Sequence, residues 1–187
     1  MKKIILSLAA IFAFFVADAQ KMVTQTYPNG NKMAEGMMFG EESSSTDSKE
    51  TASRKSASQS KEGKWLTWYE NGNPRSEEYY SNGKMIGNWK MLFENGQTEF
   101  EINFTSGKAV YFFKNGTKHS EGTIKDGMVT VGSWTGYYEN GNKNYEGSYN
   151  DQGQKNGTWK WYDDKGNLTT EQTYTNGTLV DTKTIKK

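Results

Sequence analysis

Glu35, Glu77, Glu101, Glu121, Glu146 and Glu171 each stand five residues after a glycine, at Gly30, Gly72, Gly96, Gly116, Gly141 and Gly166. Carboxylates at fixed spacing are the raw material of general acid–base work, of hard-metal coordination and of cation binding. Geometry decides among these. On equivalent strands of a repeated hairpin, neighbouring glutamates would stand two strands apart, roughly 10 Å, which is about a Debye length at moderate salt and too far to share a metal ion. A regular repeat also gives no reason for two carboxylates to converge on a cleft, as glycoside hydrolysis requires. Each glutamate is therefore expected to be held locally, by turn amides, an indole N–H or a cross-strand cation such as Arg75. Binding of a cation or a cationic partner by the whole row is the alternative.

A second column stands four residues before the same glycines: Trp68, Leu92, Phe112, Tyr137 and Tyr162. Rings exposed on a polar face stack on sugars or anchor a protein partner, or they cover the backbone and one another as cross-strand neighbours do. His119 is the single histidine. Beside Lys118 and Ser120 it makes neither a metal site nor a base. With no cysteine and no usable histidine, a nucleophile has no base to activate it. No glycine-rich phosphate loop precedes a helix. The sequence thus predicts no catalytic residue, no cofactor and no metal. Asn115-Gly116-Thr117 and Asn176-Gly177-Thr178 match glycosylation acceptors, yet Asn-Gly-Thr is also how a turn entering a strand is spelled.

The elements that must position these columns follow from the period. Residues eight after the turn glycines are apolar or aromatic: Met38, Tyr80, Phe104, Ile124, Tyr149 and Tyr174. Asn-Gly supplies positive dihedrals for a two-residue type I′ turn, so each repeat reads as a hairpin. With Asn71-Gly72 as that turn, Glu70 would face Asn73, Trp68 would face Arg75 and Leu66 would face Glu77. One face then carries Trp65, Tyr69 and Tyr80, followed by Trp89, Met91, Phe93, Phe100, Ile102 and Phe104. The other carries the glutamates and the ring column. A second glycine turn follows five of the hairpins, at Gly83, Gly107, Gly127, Gly153 and Gly177, and Trp65, Trp89, Trp134 and Trp159 open new units. Ala109 takes the tryptophan position in one shortened unit. The predicted fold is all-β, an elongated single antiparallel β-meander of about six stacked hairpins and eleven or twelve strands, with no helical periodicity.

Lys2-Lys3, an apolar run from Ile4 to Val16 and Ala17-Asp18-Ala19 form a secretory signal peptide, 1–19, cleaved before Gln20. Residues 20–187 are then the repeat domain, with no transmembrane segment after cleavage. Cleavage removes two lysines and one aspartate from a chain of formal charge +1, which leaves a neutral protein with scattered cations. Such a balance excludes nucleic acid as a partner. Residues 41–62, rich in serine and without an aromatic, cannot bury enough surface to order themselves and read as an insertion in the first repeat. The lysine-studded 181–187 reads as a protected edge strand. Nothing in the sequence covers the aromatic face, so curling of the sheet, pairing with a second copy or a bound partner is expected to shield it.

Tyr145-Glu146-Gly147-Ser148-Tyr149, followed by Gly153, Lys155, Gly157 and Trp159, resembles a MORN repeat (membrane occupation and recognition nexus). The same motif recurs at Glu121-Gly122 with Gly127, Gly132 and Trp134, and at Glu77 to Tyr80 with Asn82-Gly83-Lys84, Gly87 and Trp89. The Asn-Gly turns are similar to those of the MORN-variant group labelled YwqK-family antitoxins, over nearly all of 24–180. The resemblance implies an elongated meander used for protein or lipid interaction, with no catalytic residues. With the signal peptide, it points to an exported, periplasmic or secreted, non-catalytic scaffold. Its expected partner is another protein, met outside the cytoplasm, as for an antitoxin or immunity factor. A cell-envelope glycan-binding module using the ring column is the alternative.

Overall fold

The computed structural model describes residues 20–39, 60–125 and 128–186. The predicted signal peptide lies outside them, and so does the predicted insertion except for its last three residues, which open a strand. Twelve strands form six hairpins: β1 (Gln20–Thr26) with β2 (Lys32–Phe39), β3 (Ser60–Trp68) with β4 (Pro74–Ser81), β6 (Asn88–Leu92) with β7 (Thr98–Asn103), β8 (Lys108–Phe112) with β9 (Lys118–Lys125), β10 (Val129–Tyr137) with β11 (Lys143–Tyr149), and β12 (Lys155–Tyr162) with β13 (Leu168–Thr175). To these the chain adds β14 (Thr178–Thr184) at the far edge and the two-residue β5 (Lys84–Met85), which pairs only with β4. All are in one open antiparallel sheet that follows chain order. The all-β meander is as predicted, and the two additions account for the larger strand number.

The turns differ from the expectation. Gly72 N–H donates to Tyr69 C=O and Tyr69 N–H to Asn73 C=O, each at 2.9 Å. Gly72 has φ +87° while Asn71 is not in the left-handed region. This is a three-residue loop closed by a glycine, not a type I′ turn. Trp68 consequently faces Pro74, not Arg75. A β-bulge at Arg75 then restores Thr67 opposite Ser76 and Leu66 opposite Glu77, so the interior register is the predicted one. The same bulge falls three residues after each turn glycine, at Met33, Glu99, His119, Asn144 and Thr169. It swings Arg75 over the Tyr69 ring, 5.7 Å from its centroid, and His119 edge-on to Phe113 at 4.7 Å. Two-residue turns do occur, at the opposite ends of the strands: Asn82 and Gly83 (φ 50° and 75°) and Asn176 and Gly177 (φ 47° and 84°).

In the three-residue loops asparagine has another task. Its side-chain oxygen accepts the N–H two residues on, as Asn71 does from Asn73 at 2.9 Å and Asn95 from Gln97 at 3.0 Å. Loop amides then donate to a carbonyl of the next hairpin's loop: Asn31 to Glu70, Asn73 to Glu94, Asn95 to Lys114 and Asn142 to Asp164. Tyrosine hydroxyls beside them reach across in the same way, Tyr27 to Trp68 C=O, Tyr69 to Leu92 C=O and Tyr138 to Tyr162 C=O. Because each repeat touches only its neighbours, stability is a chain of such interface contributions. Asn73→Ala and Tyr69→Phe, which each delete one clasp between the second and third hairpins, are expected to cost about 1 kcal/mol apiece in urea unfolding.

The aromatic face is covered in part by its own indoles, where curling, a second copy or a partner was expected to shield it. Trp65, Trp134 and Trp159 lie flat over Gly36, Gly122 and Gly147 and are only 2%, 5% and 1% exposed. A β-carbon on those glycines would come within 2.3, 2.4 and 2.2 Å of the indole atoms, so the sheet itself is the second layer. Each indole N–H donates to a main-chain carbonyl of the preceding hairpin: Trp65 to Met37, Trp89 to Tyr79, Trp134 to Thr123 and Trp159 to Ser148. In the hairpin before Trp89, Glu78 holds the sequence place that glycine holds at 36, 122 and 147, and Trp89 remains half-buried. Rings eight residues after the turn glycines wedge between the indoles, as Tyr149 does at 5.0 Å from Trp159 and 6.4 Å from Trp134. Ala109, fully buried, packs with Ile102, Ile124 and Trp134 in the shortened unit. No phenylalanine, tyrosine or tryptophan among the described residues is exposed. The large exposed apolar residues are instead Met22, Met85, Ile86, Met128, Leu179 and Val180.

Candidate binding surface

On the opposite face the glutamates and the ring column meet. Strand pairing puts Glu77, Glu101, Glu121 and Glu146 at equivalent positions of successive hairpins. Tyr137 donates its hydroxyl to Glu121 at 2.7 Å, and Tyr162 to Glu146 at 2.5 Å. Each carboxylate also holds a lysine. Lys32, Lys118 and Lys143, two residues after the turn glycine, pair with Glu35, Glu121 and Glu146. Where proline, threonine or leucine takes that place, a lysine from a neighbouring strand substitutes: Lys64 on Glu77, Lys90 on Glu101 and Lys183 on Glu171.

The lysines two after the glycine also lie over the next ring of the column, 4.9 Å from the Trp68 centroid for Lys32, 5.5 Å from Tyr137 for Lys118 and 5.4 Å from Tyr162 for Lys143. The unit of the surface is thus a triad of lysine, glutamate and ring, built across two hairpins. Trp68, Leu92, Phe112, Tyr137 and Tyr162 are all half-buried. Neither turn amides nor indoles reach the glutamates, and Arg75 is on Tyr69. The lysine member escaped the sequence reasoning, although its signal, Gly-x-Lys-x-x-Glu at Gly30, Gly116 and Gly141, was there to be seen.

The triads shift protonation in a consistent sense. Hydrogen bonds from Lys118 and then Tyr137 hold the Glu121 carboxyl below its usual range, and Lys143 and Tyr162 do the same to Glu146. For Glu77 the Tyr79 hydroxyl leads and Lys64 follows. Burial, and then the hydrogen bond to the carboxylate, pushes Tyr137 and Tyr162 each up to about 12. These carboxylates are ionised, paired and 30–34% exposed at Glu121 and Glu146. Among the described residues no three acidic or histidine groups come together in a way that could hold a metal ion. A groove of about 810 Å³ opens across β4 to β8, lined in part by Tyr79, Ile86, Lys90, Glu101, Lys108 and Val110. It mixes charge and apolar surface with no nucleophile–base pair.

Three segments of the chain, 61–82, 130–151 and 155–176, match the family model described as MORN repeat variant. They coincide with β3–β4, β10–β11 and β12–β13, and the other three hairpins repeat their geometry. These three hairpins are therefore similar to MORN-type repeats. No curated protein matches it. No helix among the described residues is long and apolar enough to cross a membrane.

Proposed function

We propose that this MORN-type scaffold is an exported, non-catalytic protein-binding module that engages its partner through the column of lysine–glutamate–ring triads. The observation that carries this is the regular strip itself. Half-buried rings flanked by both charges stand at Trp68, Tyr137 and Tyr162, the last two on successive hairpins about 10 Å apart, on a sheet whose own contacts hold them in place. A fixed strip of this kind suits a folded protein surface with complementary charges, since ordered side chains lose little entropy on docking. The partner is met outside the cytoplasm, in the manner of an immunity factor. Sugar stacking fits less well, because lysine ammoniums already occupy faces of Trp68, Tyr137 and Tyr162.

The test is affinity capture from envelope extract with the wild-type chain and with Trp68→Ala/Tyr137→Ala. A partner recovered in fixed stoichiometry should bind the double variant at least about tenfold more weakly, as loss of two interface anchors implies, while the circular dichroism of the variant stays that of a folded sheet. Equal recovery by the two proteins would sink the proposal. A tryptophan-fluorescence response to polysaccharide, lost in the same variant, would replace it with the glycan module.

A further inference from the structure

The aromatic face holds a cation, Lys155, ringed by aromatic side chains. Lys155 Nζ is 4.4 Å from the Trp159 ring centroid, 4.8 Å from Trp161 and 5.0 Å from Tyr174. No carboxylate among the described residues is paired with it, although eight lysine–carboxylate pairs elsewhere show how readily this chain supplies one. Burial holds its ammonium below the ordinary lysine value.

The chain contains its own reference for this arrangement. Lys61 stands four residues before Trp65, as Lys155 does before Trp159. Its Nζ is 4.6 Å from both the Trp65 and Tyr80 rings and 3.3 Å from the Glu78 carboxylate, which also accepts the Tyr80 hydroxyl at 2.9 Å. In the last hairpin Gln172 takes the position of Glu78: it faces Trp159 as Glu78 faces Trp65, and it accepts the Tyr174 hydroxyl at 2.9 Å. Its Oε1 accepts the Trp161 indole as well, at 3.0 Å. The cage is kept and gains a ring, while the negative charge is gone. A cation over ring faces in a partly dry site gains most from a charge-assisted bond.

We infer that Lys155, within Trp159, Trp161 and Tyr174, is a docking site for a glutamate or aspartate carboxylate of an acidic protein segment. The occupant follows from the internal reference, where a glutamate side chain completes the same cage. A sugar would need the ring faces that the ammonium covers, whereas a carboxylate on a methylene stalk needs only the open side of the ammonium. The site is on the face opposite the triads, so it stands or falls separately from the function proposed for them.

The experiment titrates the full chain with a capped tri-glutamate peptide, a capped tri-glutamine peptide and a uronic-acid oligosaccharide, followed by calorimetry and tryptophan fluorescence. Saturable binding of the glutamate peptide is expected, at least about tenfold weaker for the glutamine peptide, as loss of a charge-assisted bond implies. Lys155→Met should abolish it and Lys61→Met should leave it. Gln172→Glu is the decisive variant, because it supplies an internal carboxylate and should block the peptide while melting no lower than the wild type. Equal peptide affinity in the wild type and in Gln172→Glu would overturn the inference. So would no saturation at all, or binding of the uronic-acid oligosaccharide alone.

Discussion

Trp159→Ala is expected to cost about 3–5 kcal/mol, the range for deleting a fully buried large ring, and to be the most damaging single truncation in the C-terminal half. Trp159 is 1% exposed. It stacks on Tyr145 at 5.8 Å, takes Tyr149 and Tyr174 edge-on at 5.0 and 6.5 Å, and donates its indole N–H to Ser148. Removal leaves a void with a bare glycine floor and an unpaired carbonyl. The converse change tests the same seat from below. Gly147→Ala puts a β-carbon 2.2 Å from the indole, and overpacking of this kind costs about 1–3 kcal/mol or more. Its φ is ordinary for any residue, so a loss here reports space and not backbone conformation. Urea unfolding followed by tryptophan fluorescence measures both. A Gly147→Ala protein as stable as the wild type would show that the indole does not rest on the main chain. Because repeats communicate only through neighbours, the damage should appear first as early unfolding of β12–β14, with the Trp65 end retaining protection in hydrogen exchange.

The same seats show why the fold was easier to read than its surfaces. A glycine followed at five residues by glutamate and at eight by an apolar side chain fixes a hairpin and its two faces, because a strand alternates sides at every residue. That survives a mistake in the turn. Asn-Gly at 71–72 was expected to be a two-residue turn, but Asn71 keeps an ordinary φ and the bulge at Arg75 absorbs the extra loop residue, so Leu66 still meets Glu77. The dipeptide alone does not separate the two turn types: at 82–83 and 176–177 it makes the two-residue form. What differs is the surroundings, since Asn71 and its equivalents bind main-chain groups within and between loops. The covering of the aromatic face was hidden for a related reason. Gly122 and Gly147 were visible as motif residues and Gly36 was not, but the role of all three as floors for indoles depends on which strand lies alongside, and that is a property of stacked repeats and not of one hairpin. The triads likewise combine a lysine and glutamate of one hairpin with a ring of the next.

Raising the pH should unfold this protein between about pH 10 and pH 12, with tyrosine ionisation as the cause. Burial pushes Tyr69, Tyr111, Tyr145 and Tyr149 above the ordinary phenol value. Burial and then a hydrogen bond to Glu78 push Tyr80 still further, and the Glu77 hydrogen bond raises Tyr79. Tyr137 and Tyr162, in the triads, are raised to about 12. A folded value above the unfolded one means that the native state holds more protons through that window. The stability is fully present below the unfolded value near 10 and falls as pH rises through the folded values. Lys64, also raised by its bond to Glu77, acts in the same direction, while Lys155, lowered by burial, opposes it. The acid limb has the reverse sign: Glu77, Glu121 and Glu146 are lowered, so their contribution is present above about pH 4.5 and is lost as pH falls through the folded values. At the half-exposed triads, screening holds each pair to about 1 kcal/mol or less, so the alkaline loss is carried chiefly by the buried phenols. Melting temperatures from pH 8 to pH 12, read beside the ultraviolet absorbance of phenolate, should show ionisation arriving together with unfolding, above pH 10. Tyr149→Phe should shift that transition to higher pH by removing one of the buried groups that drive it. Phenols that titrate near 10 in a sheet still folded at pH 12 would mean that the rings are not packed as the structure has them.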